Sequence, residues 1–184
     1  MTNWYGPIAA AHALPSDPRL RRWLQAEGSL TSRLRVYGTV EVRVQQQGRR
    51  PLWAEERSDL QAPGGHVREV VLLLNGRPAV WARSATTQRA IQGPWSALRG
   101  LGARPLAELL FAGRHTEREP LRAQQLAPCG LQASHIQSQW LALPQGSLNA
   151  AMPRWARSSV FWRHGHPLRV MEAFSPWVAE LRQV

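Results

Sequence analysis

The sequence contains no lysine and only one cysteine, Cys129. A single cysteine excludes an internal disulfide framework and a zinc site built on several cysteines. No stretch approaches the ~20 consecutive apolar residues of a membrane-spanning helix. The first residues also lack the basic start and the apolar run of a signal peptide. We therefore expect a cytoplasmic protein without membrane insertion.

The common catalytic motifs are missing as well. There is no Walker loop, no G-x-G-x-x-G, no G-x-S-x-G and no H-E-x-x-H. His164 and His166 are one residue apart, but they fall in a turn without a third ligand nearby, so we expect no metal site. Cys129 has no companion histidine and is interpreted as structural or incidental. The nine tryptophans fall mostly at core-like spacing, which indicates packing rather than stacking on bases.

The charge of the chain is strongly positive. There are 23 basic residues, all of them arginine, against 12 acidic ones, which gives a formal net charge of +11. Such a balance fits nucleic acid, an acidic surface or small anionic ligands. The arginines are scattered along the whole chain without a basic tail, so we expect no nucleic-acid partner. A basic nucleic-acid-binding protein nevertheless stays as an alternative.

The order of sequence patterns predicts an α+β fold. The length of 184 residues allows one domain over residues 1–184 with a real core. Helical patterns occupy residues 16–28, 29–38 and 93–113, and strand patterns occupy residues 39–48, 66–84 and 157–176. A short strand is possible at 52–55, and residues 112–154 form a long irregular excursion with one weak helix. The sheet should be mainly antiparallel.

The first hairpin turns at Asn75-Gly76, a pair that suits the positive φ angles of a type I′ turn. A two-residue loop there predicts that Arg68 lies directly opposite Arg83 and that Val70 lies opposite Trp81. Two guanidinium groups facing each other across a ladder are destabilising unless an anion lies between them. Two alternatives stay open: the arginines splay into solvent, or a longer loop makes them diagonal neighbours.

The second hairpin turns at His164-Gly165 and places Arg157 opposite Glu172. Glu172 shares a strand face with Val170 and other apolar residues. A carboxylate in that row is either paired or functional, because burying it alone is too costly. An ion pair with Arg157 is one reading. In the other, Arg68, Arg83 and Glu172 line a pocket for a carboxylated small molecule, a task that suits the bidentate guanidinium.

Four blocks of the chain resemble the chorismate–pyruvate lyases, which make 4-hydroxybenzoate for ubiquinone. In order, they are WLQAEGSLTSRLR (23–35), VREVVLLLNGRPAVWARS (67–84), LRGLGARPLAELLF (98–111) and WARSSVFWRHGHPLRVMEAF (155–174). The resemblance implies a monomeric α+β domain with helices on one side of an antiparallel sheet and a ligand enclosed beneath helical flaps. It also implies an enzyme that converts chorismate to 4-hydroxybenzoate and pyruvate without a cofactor or metal.

The resemblance also assigns roles to individual residues. Arg68 matches the arginine that holds the carboxylate of the product, and Glu172 matches the glutamate that meets its phenolic hydroxyl. Leu30 and Leu106 match positions that contact the ligand. Two further arginines match family arginines and are assigned either to the second carboxylate of the substrate or to supporting Glu172; they are Arg83 and Arg157. Arg68, Glu172 and Arg83 are thus the predicted catalytic residues.

A binding module is the main alternative to an enzyme. Effector-sensing domains of some bacterial transcription regulators are similar in fold to this lyase family. This chain leaves no room for an attached helix-turn-helix domain, which favours the enzyme. Residues 112–154 are longer than the matching connection in compact relatives, so the flap over the site is the least certain part of the resemblance.

Overall fold

The computed structural model describes residues 14–111, 116–143 and 151–181. Seven strands and six α-helices are described there. The strands are β1 (Val40–Pro51), β2 (Gly64–Leu74), β3 (Arg77–Thr87), β4 (Thr116–Arg118), β5 (Arg122–Gln125), β6 (Trp155–Arg163) and β7 (His166–Phe174). The helices are α1 (Pro18–Leu24), α2 (Leu30–Arg35), α3 (Ala54–Leu60), α4 (Gln88–Gln92), α5 (Leu106–Phe111) and α6 (Leu131–Leu141), with 3-10 helices at Ser96–Gly100 and Pro176–Glu180.

All described strands join one antiparallel sheet. Its order is β1-β2-β3-β7-β6-β4, and β5 also pairs with β6. Both predicted hairpin turns are confirmed: Asn75 and His164 have a φ of 50°, and each precedes a glycine of positive φ. Strand β2 is buried over almost its whole length, as a strand covered on both faces should be. The predicted α+β class is therefore confirmed.

A β-bulge near the first turn changes the register of the hairpin. Leu74 lies opposite Arg77 as predicted, but Leu72 pairs with Val80 while Leu73 pairs with Pro78. Ala79 is thus the extra residue on β3. Pro78 has no N–H to donate to the ladder, and such residues are found at bulges. Because side chains alternate, one extra residue moves every later side chain of β3 to the other face.

Helices cover both faces of the sheet, which corrects the expectation of helices on one side. Helix α2 packs against β1 and β2, while α3 packs against β3 and β7. Glu56 of α3 bonds Arg83 of β3, and His135 of α6 bonds Glu69 of β2. Leu30 of α2 instead lies on the face that carries Arg68. The sheet is therefore the middle layer, and different helices pack on its two faces.

The N-terminal helices form as their sequence predicts. Asp17 caps α1 by accepting a hydrogen bond from the Arg19 N–H at 2.8 Å, and Pro18 occupies the first turn. Ser29 caps α2 in the same way through Ser32. Such oxygen caps satisfy N–H groups that have no partner within the helix. The loop between the two helices contains Gly28, which has a φ of 77°, and this loop reaches the site described below.

Three elements differ from the sequence-based prediction. The prediction of a possible strand at residues 52–55 is wrong, because β1 ends at Pro51 and α3 begins at Ala54. Helix α4 was not expected. The excursion is less irregular than predicted: it carries β4 and β5 besides α6, and both strands extend the sheet by pairing with β6. Residues 112–115 and 144–150 of the excursion lie outside the described residues.

Most tryptophans of the described residues are packing residues, as predicted, while Trp4 lies outside the described residues. Five of them are at most 8% exposed: Trp23, Trp81, Trp95, Trp140 and Trp177. The indole N–H groups of three of these donate hydrogen bonds within the protein: to Gln139, to the His166 carbonyl and to the Pro78 carbonyl. A buried indole needs such a partner, so these rings stabilise the core rather than present a stacking surface.

Candidate active site

A pocket lies over one face of the sheet, between the strands and the two segments that begin α2 and α5. Its empty volume is about 700 Å³, a figure that includes the open solvent at its mouth. Leu30 and Leu106, the two predicted ligand contacts, both line it. Arg68, Glu172 and Arg157 line it as well. The structure thus brings together five of the six predicted site side chains.

Arg68 is a buried cation that lacks a carboxylate partner in the described part of the chain. It is 2% exposed, and its Nη2 donates to the carbonyl oxygens of Gly102 and Arg104 at 2.8 and 3.1 Å. Its Nε is buried without any hydrogen-bond acceptor. Burial lowers the pKa of Arg68 from 12.5 to about 10. A guanidinium held in this state favours an anion as its missing partner.

Glu172 and Arg157 form an ion pair on the floor of the pocket. They lie directly opposite each other on β7 and β6, as predicted. Arg157 Nε donates to Glu172 Oε2 at 2.6 Å. Arg157 Nη1 also donates to the carbonyl oxygens of Trp23 and Ala26 at 2.9 and 2.5 Å. Arg157 therefore fixes the carboxylate of Glu172 and holds the loop before α2 over the pocket.

The other oxygen of Glu172 is available. Within the described residues, Glu172 Oε1 accepts no hydrogen bond, and the side chain is 18% exposed. Arg68 and Glu172 lie on the same face, two strands apart: Arg68 pairs with Ser84, and Glu172 pairs with Ala82, which is two residues from Ser84. Adjacent strands are about 4.8 Å apart. A cation and a hydrogen-bond acceptor thus stand at two sides of a largely apolar pocket.

The predicted position of Arg83 is wrong. Because of the bulge, Arg83 pairs with Glu69, and Arg68 pairs with Ser84. Ala82 and Ser84 face the pocket, so Arg83 borders it through its main chain while its guanidinium lies on the opposite face. There Arg83 Nε donates to Glu56 at 2.6 Å, and Nη1 donates to Glu69. The guanidinium of Arg83 therefore cannot meet a ligand beside Arg68.

The opposite face holds a compact charged network. Glu69 is fully buried and accepts hydrogen bonds from Arg83, Gln139 and, at 2.5 Å, Gln46. His135 Nε2 lies 2.9 Å from its Oε2. Burial alone would raise the pKa of Glu69, but the hydrogen bonds from His135 and Arg83 outweigh it and lower the pKa to about 2. The network is saturated with internal partners and is structural.

Two residues were missed by sequence reasoning: Glu56, which holds Arg83 away from the pocket, and Arg118, which lines the pocket. Glu56 was not predicted because no Ser, Thr, Asp or Asn marks the start of α3. Glu56 is the third residue of this helix, and its carboxylate accepts a hydrogen bond of 2.8 Å from the Trp53 N–H. Arg118 on β4 lines the pocket. Arg118 was not predicted because β4 spans only three residues, and the direction of the Arg118 side chain is known only from the pairing of β4 with β6. The one signal that could have revealed Glu56 is its position three residues into α3, where a glutamate is typical of a capping box.

Other kinds of site find no support in the described parts of the chain. No cluster of three or more metal-ligating side chains occurs there, and Cys129 is exposed. None of the described helices has the length and apolar character needed to cross a membrane. Four arginines are buried, so part of the positive charge lies inside the protein and not on its surface; they are Arg68, Arg83, Arg157 and Arg169.

These features define an α+β protein with a basic, partly enclosed pocket on one face of its sheet. Residues 10–180 match the family described as chorismate lyase. A probable chorismate pyruvate-lyase of Bordetella avium is 38% identical, covering 95% of this chain and 88% of the relative. One of Albidiferax ferrireducens is 39% identical, covering 85% and 83%. The chain belongs to the chorismate lyase family, and it is an enzyme of the lyase class.

Solved structures with a similar fold include a domain of PhnF and a possible transcriptional regulator. The C-terminal domain of PhnF aligns with a TM-score of 0.52 at 13% identity, covering 83% of this chain and 91% of that chain. The possible regulator YydK of Bacillus subtilis aligns with a TM-score of 0.50 at 13% identity, covering 79% and 62%. At such low identity the likeness concerns the fold alone.

Proposed function

We propose that this chain removes pyruvate from chorismate and releases 4-hydroxybenzoate. The observation that supports this most directly is Arg68, a buried guanidinium with an unpartnered Nε that lines the same pocket as Glu172. 4-Hydroxybenzoate has a carboxylate at one end of its ring and a hydroxyl at the other. An arginine suits the first group, and an acceptor oxygen suits the second.

In the proposed complex, Arg68 binds the ring carboxylate of the substrate. Leu30 and Leu106 pack on the ring, and the ring hydroxyl donates a hydrogen bond to Glu172 Oε1. Arg157 fixes the position of the Glu172 carboxylate through the contact of 2.6 Å. The residues therefore work by positioning and by electrostatic stabilisation inside a partly enclosed pocket.

The chemistry requires no oxidation or reduction. The ring carbon that bears the hydroxyl loses its proton, and the ether C–O bond to the neighbouring ring carbon breaks. The electron pair of the C–H bond completes the aromatic ring. The departing enolpyruvate gains one proton at its methylene carbon and becomes pyruvate. Aromatisation drives the reaction, which is why we propose that it proceeds without a cofactor.

The wider setting follows from the same proposal. 4-Hydroxybenzoate would supply the ring of ubiquinone, and the reaction would take place in the cytoplasm. We further propose that residues 1–184 act as one domain, that the enzyme is a monomer, and that it has no nucleic-acid partner. The effector-sensing alternative is not favoured, since the relatives at 38–39% identity that cover most of this chain are probable lyases.

The direct test is to mix the purified protein with chorismate. The 4-hydroxybenzoate formed is followed by its absorbance, and the pyruvate is followed with a coupled assay. We expect equal amounts of both, in proportion to the enzyme added. If pyruvate appears together with another hydroxybenzoate, the proposed product is wrong although pyruvate is still eliminated. Saturable binding of chorismate without turnover would refute the proposed reaction and favour a ligand sensor.

A further inference from the structure

Arg118 is a pocket arginine that has no role in the reaction described so far. It lies on β4 directly opposite Phe161, and its Nε donates to the hydroxyl oxygen of Ser159 at 3.2 Å. Its guanidinium lies 5.0 Å from the centre of the Phe161 ring. Ser159 pairs with Val170, beside Glu172 on β7. The side chain of Arg118 therefore lies on the same face of the sheet as Arg68 and Glu172.

Arg118 forms no ion pair within 4.0 Å in the described part of the chain. Its hydrogen bond to a serine hydroxyl and its contact with an aromatic ring leave its positive charge unneutralised. Burial lowers the pKa of Arg118, and the charge of Arg157 lowers it further. Glu172 and Glu27 act in the opposite direction but do not outweigh these effects. A half-buried cation in these surroundings gains much from an incoming carboxylate.

Chorismate carries two carboxylates, and the pocket must accommodate both. Arg68 takes the ring carboxylate in the proposed complex. Arg83 cannot take the second, because its guanidinium bonds Glu56 and Glu69 on the other face. Arg157 is already committed to Glu172 and to two main-chain carbonyl groups. Among the described arginines that line the pocket, Arg118 is the one that bonds neither a carboxylate nor a main-chain carbonyl.

We infer that Arg118 binds the carboxylate of the enolpyruvyl group. This inference rests on the proposed function, since it assigns the second anionic end of that substrate. In the sheet, Arg68 on β2 and Arg118 on β4 stand on either side of Glu172 on β7. In chorismate, the hydroxyl-bearing carbon is next to the carbon that carries the enolpyruvyl ether, and the ring carboxylate lies farther away. The enolpyruvyl group should therefore lie near Glu172, and Arg118 stands on the side of Glu172 that is away from Arg68.

The inference separates substrate binding from product binding. 4-Hydroxybenzoate has no enolpyruvyl carboxylate, so Arg118 contributes to the affinity for chorismate and not to the affinity for the product. Arg68 contributes to both affinities. A merely structural role of Arg118 would affect both ligands alike. The two ligands together therefore report which role Arg118 has.

The test compares Arg118→Gln, Arg118→Lys and Arg68→Gln with the wild-type enzyme. KM and kcat are measured with chorismate, and the dissociation constant of 4-hydroxybenzoate is measured by tryptophan fluorescence; a variant that does not turn over chorismate is titrated with chorismate in the same way. For Arg118→Gln we expect KM to rise roughly tenfold to a hundredfold, the range for losing a charge-assisted hydrogen bond. Its Kd for 4-hydroxybenzoate should stay within about twofold. Arg118→Lys should recover part of the loss, because it restores the charge without the fork.

The matched control is Arg43→Gln. Arg43 lies on β1, pairs with Glu41 at 2.6 Å and points away from the pocket, so its loss should change neither ligand. Arg68→Gln should weaken both ligands. Equal losses for chorismate and 4-hydroxybenzoate in Arg118→Gln, or no loss for either, would overturn the inference.

Failure of the inference and failure of the proposed function give different results. If the wild type turns over chorismate and Arg118→Gln keeps its KM, only the inference fails. If the wild type binds chorismate without turnover, the proposed reaction fails, but the affinities still test Arg118. If the wild type neither binds nor converts chorismate, both fail.

Discussion

Replacing Arg68 and Arg83 by methionine should have opposite effects on stability, although the two arginines lie on neighbouring strands and are almost equally buried. Arg83 has Glu56 and Glu69 as ion-pair partners. Within the described residues, the acceptors of Arg68 are the carbonyl oxygens of Gly102 and Arg104, and both of these residues are exposed. The stability of the ligand-free protein therefore shows whether each charge is held for the fold or for a ligand.

The magnitude for Arg68 follows from its pKa, which burial lowers from 12.5 to about 10. At 1.36 kcal/mol for each pKa unit, keeping the charge buried costs about 3 kcal/mol. Replacement by methionine also loses two hydrogen bonds, but water can reach the exposed residues that accept them. We expect Arg68→Met to raise the free energy of unfolding by roughly 1–2 kcal/mol. Arg83→Met should lower it by about 3–5 kcal/mol, the usual cost of leaving a buried partner unpaired.

The assay is urea unfolding of the ligand-free proteins, followed by tryptophan fluorescence, with and without 4-hydroxybenzoate. The wild type should gain stability with ligand according to its concentration relative to Kd, and Arg68→Met should lose this gain. Leu109→Met on α5 serves as a control for the introduced side chain. If Arg68→Met were destabilised as strongly as Arg83→Met, the buried charge of Arg68 would be structural, and the assignment of this residue to a ligand would be wrong.

Three further predictions concern the site and the network behind it. Glu172→Gln should lower kcat/KM by at least about tenfold, because it removes a charged hydrogen-bond acceptor from the ring hydroxyl; steady-state kinetics with chorismate would show this. The folded pKa of Glu69 is lowered from 4.5 to about 2, so its stabilisation is complete above pH ~4.5 and is lost as the pH falls toward 2. Urea midpoints over this range should fall less in Glu69→Gln than in the wild type. A pocket matched to both ends of 4-hydroxybenzoate should release it slowly, so added product should slow the progress curves of the wild type; unchanged curves would count against that match.

The sequence was sufficient where local signals determine the structure. Asp17 and Ser29 mark the starts of their helices, and Asn75-Gly76 and His164-Gly165 set two hairpin turns. The second hairpin has no bulge, so counting outward from its turn correctly paired Arg157 with Glu172. Arg68 and Glu172 were expected in one pocket from their strand faces and from the family resemblance, whereas Leu30 and Leu106 were assigned by the resemblance alone.

The sequence was insufficient where a single residue changes the register or where pairing is distant. The sequence shows Pro78 beside the first turn, but it does not show whether a β-bulge forms there. That depends on the packing around Ala79 and Val80. The bulge decides which face the Arg83 side chain occupies. Strands β4 and β5 lack an alternation of apolar residues, and they form by pairing with β6. The face of the sheet on which the Arg118 side chain lies could therefore not be predicted from the local sequence.

The charges of the pocket fit a dianion better than they fit the product. Three guanidinium groups, those of Arg68, Arg118 and Arg157, and the one carboxylate of Glu172 give the described lining side chains a net charge of 3 − 1 = +2. Chorismate carries −2 and would neutralise this set, whereas 4-hydroxybenzoate carries −1 and would leave one positive charge uncompensated. The arrangement works because Arg68 and Glu69 are adjacent on β2 and point to opposite faces. Glu69 neutralises Arg83 behind the sheet, which leaves Arg68 alone in front of it, where its unpaired charge can act on the substrate.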